Sequence, residues 1–352
     1  MGWRGHLTWR YYSLRMPLTR PLGGVVLAAA LAGALASCGG SSGSSSSTQA
    51  STSKPATSTP APTAAKFPKV NAKQFTTLAR SISPKSPALA LTESDFHPGV
   101  NRLGFGLFDP SQKQVINVPV AIYVQAQGGS GPVFGPYVAR EESLGVSKQF
   151  LSETVAKDPD AAKFVYVTTV KFPKAGKYNV LAAVDVDGKL EPTGVGLKVS
   201  SSDPIPSVGE KTPAISTPTV ASVGGNVASI DTRTPHDDMH DVNFKDVVGK
   251  KPVVILFATP LLCQSRVCGP VTDIAEEVKH TMPEAKGVAF IHMEVYNHND
   301  ANKGYRPQLR AFHLQTEPWA FVLDRSGKIS TRFEGAFSAS ELEKAIRTAV
   351  KQ

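Results

Sequence analysis

Two cysteines, Cys263 and Cys268, stand close together late in a 352-residue chain, with Gln264, Ser265, Arg266 and Val267 between them. A neighbouring thiol pair can close into a disulfide or exchange one with another molecule, and the nucleophile in that exchange is the thiolate. Spacing limits how the pair can be held. On one continuous helix, positions i and i+5 put their Cα atoms ~8.7 Å apart and ~140° around the axis. A disulfide tolerates about 7 Å. Either Cys263 precedes the helix, or the first turn must unwind when the bond forms. A second group invites chemistry: His236, Asp237, Asp238, His240 and Asp241 fall within six residues. Hard and soft ligands are mixed there and no closed four-ligand spacing is visible, so a solvated polar loop is expected and no metal.

The elements that must position the cysteines are legible. Val253 to Phe257 is an apolar, β-branched run ending before Pro260, the pattern of a strand buried on both faces. Gly269-Pro270 opens a helix with Val271, Ile274, Ala275 and Val278 on one face. A helix N-terminus carries free N–H groups and partial positive charge, so a thiolate placed there is stabilised. Asn243 to Val248 leads into the strand, Gly287 to Tyr296 is a second buried strand, and Pro307 to Leu314 is a short helix. A last helix spans Ser338 to Val350, with Ser338 and Glu341 spaced as a capping box.

Strand, cysteine, helix start and then Glu317-Pro318-Trp319 before another strand: residues 223–352 resemble the thioredoxin-like superfamily. The resemblance implies an α/β thioredoxin-like fold, a cis Pro318 beside the cysteines that shapes a substrate groove, and thiol–disulfide exchange with no cofactor. Cys263, Cys268 and Pro318 are then the catalytic residues. Cys263 is expected to attack from the strand end and Cys268 to resolve. The rival frame takes Cys268-Gly269-Pro270 as a displaced copy of the thioredoxin Cys-Gly-Pro and makes Cys268 the nucleophile. Leu262 stands where thioredoxins carry tryptophan, and the central strand carries no acid to accept the resolving thiol's proton. Glu317 would raise a nearby thiol pKa and Arg266 would lower it. The Cys-x4-Cys spacing and Thr259-Pro260 also resemble some peroxiredoxins, but neither cysteine has the proline and threonine of the peroxidatic pattern at the right distances. In the copper-delivering Sco branch the metal histidine would fall near Thr316, and His313 is out of register. The competing class is a non-catalytic binding lipoprotein whose disulfide is structural.

Upstream, residues 67–202 read as an all-β domain. Asn101 to Phe108, Val115 to Gln125, Phe164 to Phe172, Tyr178 to Val186 and Gly194 to Val199 are short alternating or β-branched runs between Gly, Pro, Asp and Asn. Asp185-Val186-Asp187-Gly188 is a hairpin turn. Phe172 to Tyr178 resembles the turn and tyrosine before a late strand of immunoglobulin-like β-sandwiches. Gly128 to Ala162 is expected to be one long insertion, disordered or packed on the other domain, with a helical turn near Ser147 to Val155. Residues 203–222, rich in Pro, Ser and Thr, form the expected linker.

Residues 1–37 combine Arg4, Arg10, Arg15 and Arg20 with the apolar run Leu22 to Ala36, which is shorter than a membrane span. Leu35-Ala36-Ser37-Cys38 resembles a bacterial lipobox, which implies signal cleavage before Cys38, lipid attachment at that cysteine and a place in the cell envelope outside the cytoplasm. Residues 38–66 are a Ser/Thr/Pro-rich tether with almost nothing to bury. Without the four arginines of residues 1–37, the 38 basic residues fall to 34 against 29 acidic ones, a net charge of +5. No basic block interleaved with aromatics occurs, so nucleic acid is not an expected partner. Membrane lipid through Cys38 and exported protein thiols or disulfides are.

Overall fold

A computed structural model describes residues 66–129 and 131–352. Cys38, the signal-like segment and the tether up to residue 65 lie outside the described residues. Helix α1 (Ala72–Arg80) is capped by Asn71, whose side chain accepts from the Gln74 N–H while the Gln74 side chain accepts from the Asn71 N–H. Seven strands follow: β1 (Ala88–Leu91), β2 (Gly99–Phe108), β3 (Val120–Ala126), β4 (Val133–Ser143), β5 (Phe164–Phe172), β6 (Gly176–Val186) and β7 (Lys189–Val199). All pair antiparallel, in the order β1-β2-β5-β4-β3-β6-β7. Strand β4 changes partner along its length, pairing with β3 over Val133–Ala139 and with β5 over Arg140–Ser143. The sheet therefore folds over itself into a sandwich. Leu103, Phe105, Tyr166 and Phe172 from one half meet Ile122, Val124, Tyr178 and Val180 from the other.

Two local signals act as their chemistry dictates. Asp187 and Gly188 both take positive φ, the conformation of a type I′ turn, and the Asp185 carboxylate accepts from the Gly188 N–H at 2.8 Å. The buried Tyr178 donates its hydroxyl to the Lys174 carbonyl at 2.9 Å, the tyrosine corner of immunoglobulin-like sandwiches. One expectation fails. Residues 128–162 are not one long connection, because they contain the 11-residue strand β4. Gly135, a cis Pro136 and the run Arg140-Glu141-Glu142 disguise it, yet both glutamates are buried and bonded: Glu141 accepts from the Asn117 N–H and Glu142 from Ser338.

A four-stranded sheet follows, built from β8 (Val253–Phe257), β9 (Ala289–Met293), β10 (Trp319–Leu323) and β11 (Ile329–Glu334), in the order β11-β10-β8-β9 with only β8 and β9 parallel. Helix α2 (Glu153–Lys157) belongs to the β4–β5 connection, and α3 (Phe244–Val247) precedes β8. Helix α4 (Cys268–Thr281) crosses from β8 to β9, and α5 (Pro307–Ala311) and α6 (Ala339–Ala349) complete the set. Val254 and Leu256 of β8 meet Val271, Ile274 and Val278 of α4 and Leu342 and Ile346 of α6 on one face. On the other, Val253, Ile255 and Phe257 meet Phe244 of α3 and Leu309 of α5. Helices on both faces of this mixed sheet make a thioredoxin-like fold. The capping box on α6 forms in both directions between Ser338 and Glu341.

The two sheets share a core. Leu144, Val165 and Val167 of the sandwich pack into the α4–α6 layer of the second sheet. Arg102 of β2 ties the seam, pairing with Glu93 and reaching Glu341 of α6 with Nε at 3.0 Å and Nη2 at 2.8 Å. Among the described residues no helix is long and apolar enough to cross a membrane.

Candidate functional site

Cys263 and Cys268 are joined in a disulfide with Cα atoms 5.9 Å apart. Of the two geometries the spacing allows, the first is realised: Cys263 lies in the loop after β8, and Cys268 is the first residue of α4. The loop turns back because the Leu262 and Cys263 N–H groups both donate to the Thr259 carbonyl. Arg266 takes a positive φ of 57° between the cysteines. Burial separates the pair, Cys268 being fully buried and Cys263 half-buried. Two residues before Cys263, Leu261 leaves 64% of its surface to solvent, more than any other large apolar side chain among the described residues except Val100.

Pro318 follows a cis peptide bond, as the resemblance implies. It is buried, and its carbonyl accepts from the Gly335 N–H at 2.8 Å. The residue before it is an acid, a group the central strand lacks. Glu317 Oε2 lies 3.5 Å from Cys268 Sγ, although 49 residues separate them in the chain. Burial pushes the Glu317 carboxyl up to about 7, with hydrogen bonds from Tyr296 and Thr259 pulling the other way. A carboxyl at that pKa next to a buried thiol can take and return a proton near neutrality. The sequence places Glu317 beside the proline but gives no signal that it serves Cys268, because that contact exists only once β10 lies against β8.

The sandwich reaches this site at two points. The β4–β5 connection crosses the outer face of α4, where Asp273 accepts from the N–H and hydroxyl of Ser152 at 2.9 and 3.0 Å and Glu277 accepts from the Ser147 N–H at 2.9 Å. Farther along, Arg266 pairs with Asp158, and the Ala162 N–H donates to the Arg266 carbonyl at 3.1 Å. Residues 144–163 therefore grip the loop between the cysteines. Behind the proline, Glu334 accepts from Ser94 and Asp95 of the sandwich and from the Thr316 hydroxyl.

The segment His236 to Asp241 is not a solvated loop. Asp237 and His240 are buried, while His236 and Asp238 remain open to solvent. The buried pair closes on Asp231 and on His292 of β9, so that one ligand atom from each lies within 4.8 Å of the others. His292 is far from the motif in sequence and Asp231, five residues before it, is a lone acid there, so neither carries a sequence signal of its own.

No family model matches the chain, and no curated protein does. Among solved structures, a thiol:disulfide interchange protein of the thioredoxin family from Chlorobium tepidum TLS is similar at 19% identity, over 41% of this chain and 99% of that one, with a TM-score of 0.26. A thioredoxin-like superfamily protein is similar at 17% identity, over 32% and 87%, also with a TM-score of 0.26. The PKD domain of an M14-like peptidase from a Thermoplasmatales archaeon covers 34% of this chain and 97% of its own length at 14% identity, with a TM-score of 0.18. At such scores the fold rests on its own strand order.

Proposed function

We propose that this chain is an exported, lipid-anchored thiol–disulfide oxidoreductase acting through Cys263 and Cys268. Attack falls to Cys263, the more accessible sulfur. Its thiolate bonds to one sulfur of a substrate disulfide, and the other substrate sulfur leaves as a thiolate. Cys268 then gives its proton to Glu317 and attacks Cys263 Sγ, helped by its place at the N-terminus of α4. The bond from Cys263 to the substrate breaks, and the departing sulfur takes the proton from Glu317. Two electrons have passed from the cysteine pair to the substrate; run backwards, the same steps oxidise a dithiol. On this reading the cis Pro318, next to Glu317, and the exposed Leu261, two residues before Cys263, are the groups that meet a bound peptide. The observation that carries this reading is the Glu317 carboxyl against Cys268, since a permanent disulfide has no use for a proton acceptor.

The grip of Asp158 and Ala162 on the intercysteine loop favours a second reading, a binding lipoprotein whose disulfide only staples the loop. The equilibrium potential of the pair decides. A value between about −120 and −270 mV fits exchange, and one below about −300 mV fits a staple. On the exchange reading, Cys268→Ser holds a mixed disulfide with an exported protein thiol and Cys263→Ser does not. Copper chemistry gains no support, because His313 is exposed and no histidine joins the cluster of Cys263, Cys268 and Glu317 among the described residues. Lipid attachment at Cys38 has its own test: Cys38→Ala should move the protein from the membrane fraction to the soluble one, and retention would remove the anchor from the proposal.

A further inference from the structure

The four-residue cluster beneath β9 has the chemistry of a metal centre. Asp231, Asp237 and His240 come from one stretch of chain and His292 from β9, and their side chains have no solvent exposure. His240 Nε2 lies 3.3 Å from Asp237 Oδ1 and 3.7 Å from Asp231 Oδ2. His292 Nδ1 lies 2.7 Å from Asp237 Oδ2 and 3.8 Å from Asp231 Oδ1. A tetrahedral zinc with bonds of about 2.0–2.1 Å has ligand–ligand edges of about 3.3–3.4 Å, inside the range these distances span.

Hydrogen bonding around the cluster points the same way. The other ring nitrogen of His292, Nε2, faces the Ala258 carbonyl at 3.1 Å, and a carbonyl can only accept. In the neutral ring that contact leaves the Nδ1 lone pair aimed at the carboxylates, the orientation outer-shell partners impose on metal-bound histidines. Asp231 is held by the N–H groups of Arg233 and Asp237, at 2.7 and 2.8 Å, and Asp237 by that of Met239 at 3.0 Å. His240 is the telling member. It is buried, it points into the cluster, and neither of its ring nitrogens has a hydrogen-bond partner. A network of protons alone would satisfy His292 and leave His240 an uncompensated buried polar group. The nearest guanidinium does not serve the carboxylates, because Arg233 is spent on Asp273 and on the Pro235 and Phe150 carbonyls.

We infer that Asp231, Asp237, His240 and His292 form a closed four-ligand site for a first-row divalent cation, with zinc the best match. Two imidazoles and two carboxylates suit zinc better than magnesium or calcium, which take oxygen ligands, or cuprous copper, which takes sulfur. The doubly positive ion also neutralises the two buried carboxylates. His236, whose side chain is 42% exposed and 3.4 Å from Asp231, marks the side from which the ion enters. With four protein ligands the site is structural. It clamps residues 231–240 to the edge of β9, where the His292 N–H already donates to the Met239 carbonyl at 3.0 Å.

The test uses the full chain with its disulfide closed, stripped with a chelator and titrated with zinc against a chromogenic competitor. One equivalent should bind, and cobalt in its place should give the intense visible bands of a tetrahedral site. His240→Ala should weaken zinc by more than the ~100-fold that loss of an outer-shell partner costs. His280→Ala, at an exposed His/Asp/Glu group, should bind as the wild type does. If His240→Ala does not fold, the wild type decides alone, through a rise in Tm with zinc together with the cobalt spectrum. Failure of the stripped wild type to take up zinc, or equal affinity in a folded His240→Ala, would overturn the inference.

Discussion

On the exchange mechanism proposed above, Glu317 has two jobs that pull against each other. As a carboxylate it disfavours a thiolate at Cys268, and as a base it is what makes that thiolate. A carboxyl near pKa 7 reconciles them, because it is neutral about half the time at the pH where exchange must run. Removing it should show in rate and in stability. Glu317→Gln should slow release of the mixed disulfide by roughly 10²-fold, the lower range for a general base, and leave the first attack by Cys263 unchanged. Rapid-quench trapping of the mixed disulfide separates the two steps; equal slowing of both would make Glu317 structural. For stability, the folded-state pKa lies above the unfolded value of 4.5. Its contribution is therefore fully present below pH 4.5 and is lost as pH rises through about 7. Between pH 5 and 8 the wild-type Tm should fall more steeply than that of Glu317→Gln, and parallel profiles would contradict the raised pKa.

At the scale of elements, legibility followed locality. The strand Val253–Phe257, the strand Phe164–Phe172, the α6 capping box and the Tyr178 corner all rest on contacts within a few residues or on periodicity, and each could be read ahead of the fold. Strand β4 could not, because burial of Glu141 and Glu142 makes sense only with Asn117 and Ser338 in place. Helix α4 hides a similar lesson. Its apolar face is plain, but Asp273 and Glu277 on the opposite face look solvated and are buried under the β4–β5 connection. The Asp231–His292 cluster joins segments about 60 residues apart, a distance over which spacing rules say nothing. The connection's hold on the cysteine loop can be loosened selectively. The Arg266–Asp158 pair is partly exposed and worth about 1 kcal/mol at most. Asp158→Ala should then raise the rate of disulfide reduction by a small thiol up to ~5-fold, with little change in Tm. An unchanged reduction rate would mean that the loop is not gated from the sandwich.

Across the whole molecule, the seam between the two sheets is built from charged and apolar groups shared between the two halves. Arg102 stands between Glu93 and Glu341, so Arg102→Ala leaves two poorly hydrated carboxylates and should cost about 3 kcal/mol in chemical denaturation. Gly335 is tighter still. With φ at +71°, a Cβ there would stand 2.0 Å from the Thr92 carbonyl oxygen of the sandwich, so no other residue fits without parting the seam. Leu144, Val165 and Val167 meanwhile lie in one hydrophobic core with α4 and α6. That core makes the seam a matter of cooperativity. Two modules joined by a string would melt in two steps, but here neither can expose its half of the core without exposing the other's. Calorimetry on residues 66–352 should give a single endotherm whose calorimetric and van't Hoff enthalpies agree. Two separable transitions would refute the shared core. If there is one, a mutation deep in the sandwich lowers the temperature at which the cysteine pair stops working, although it never touches a sulfur.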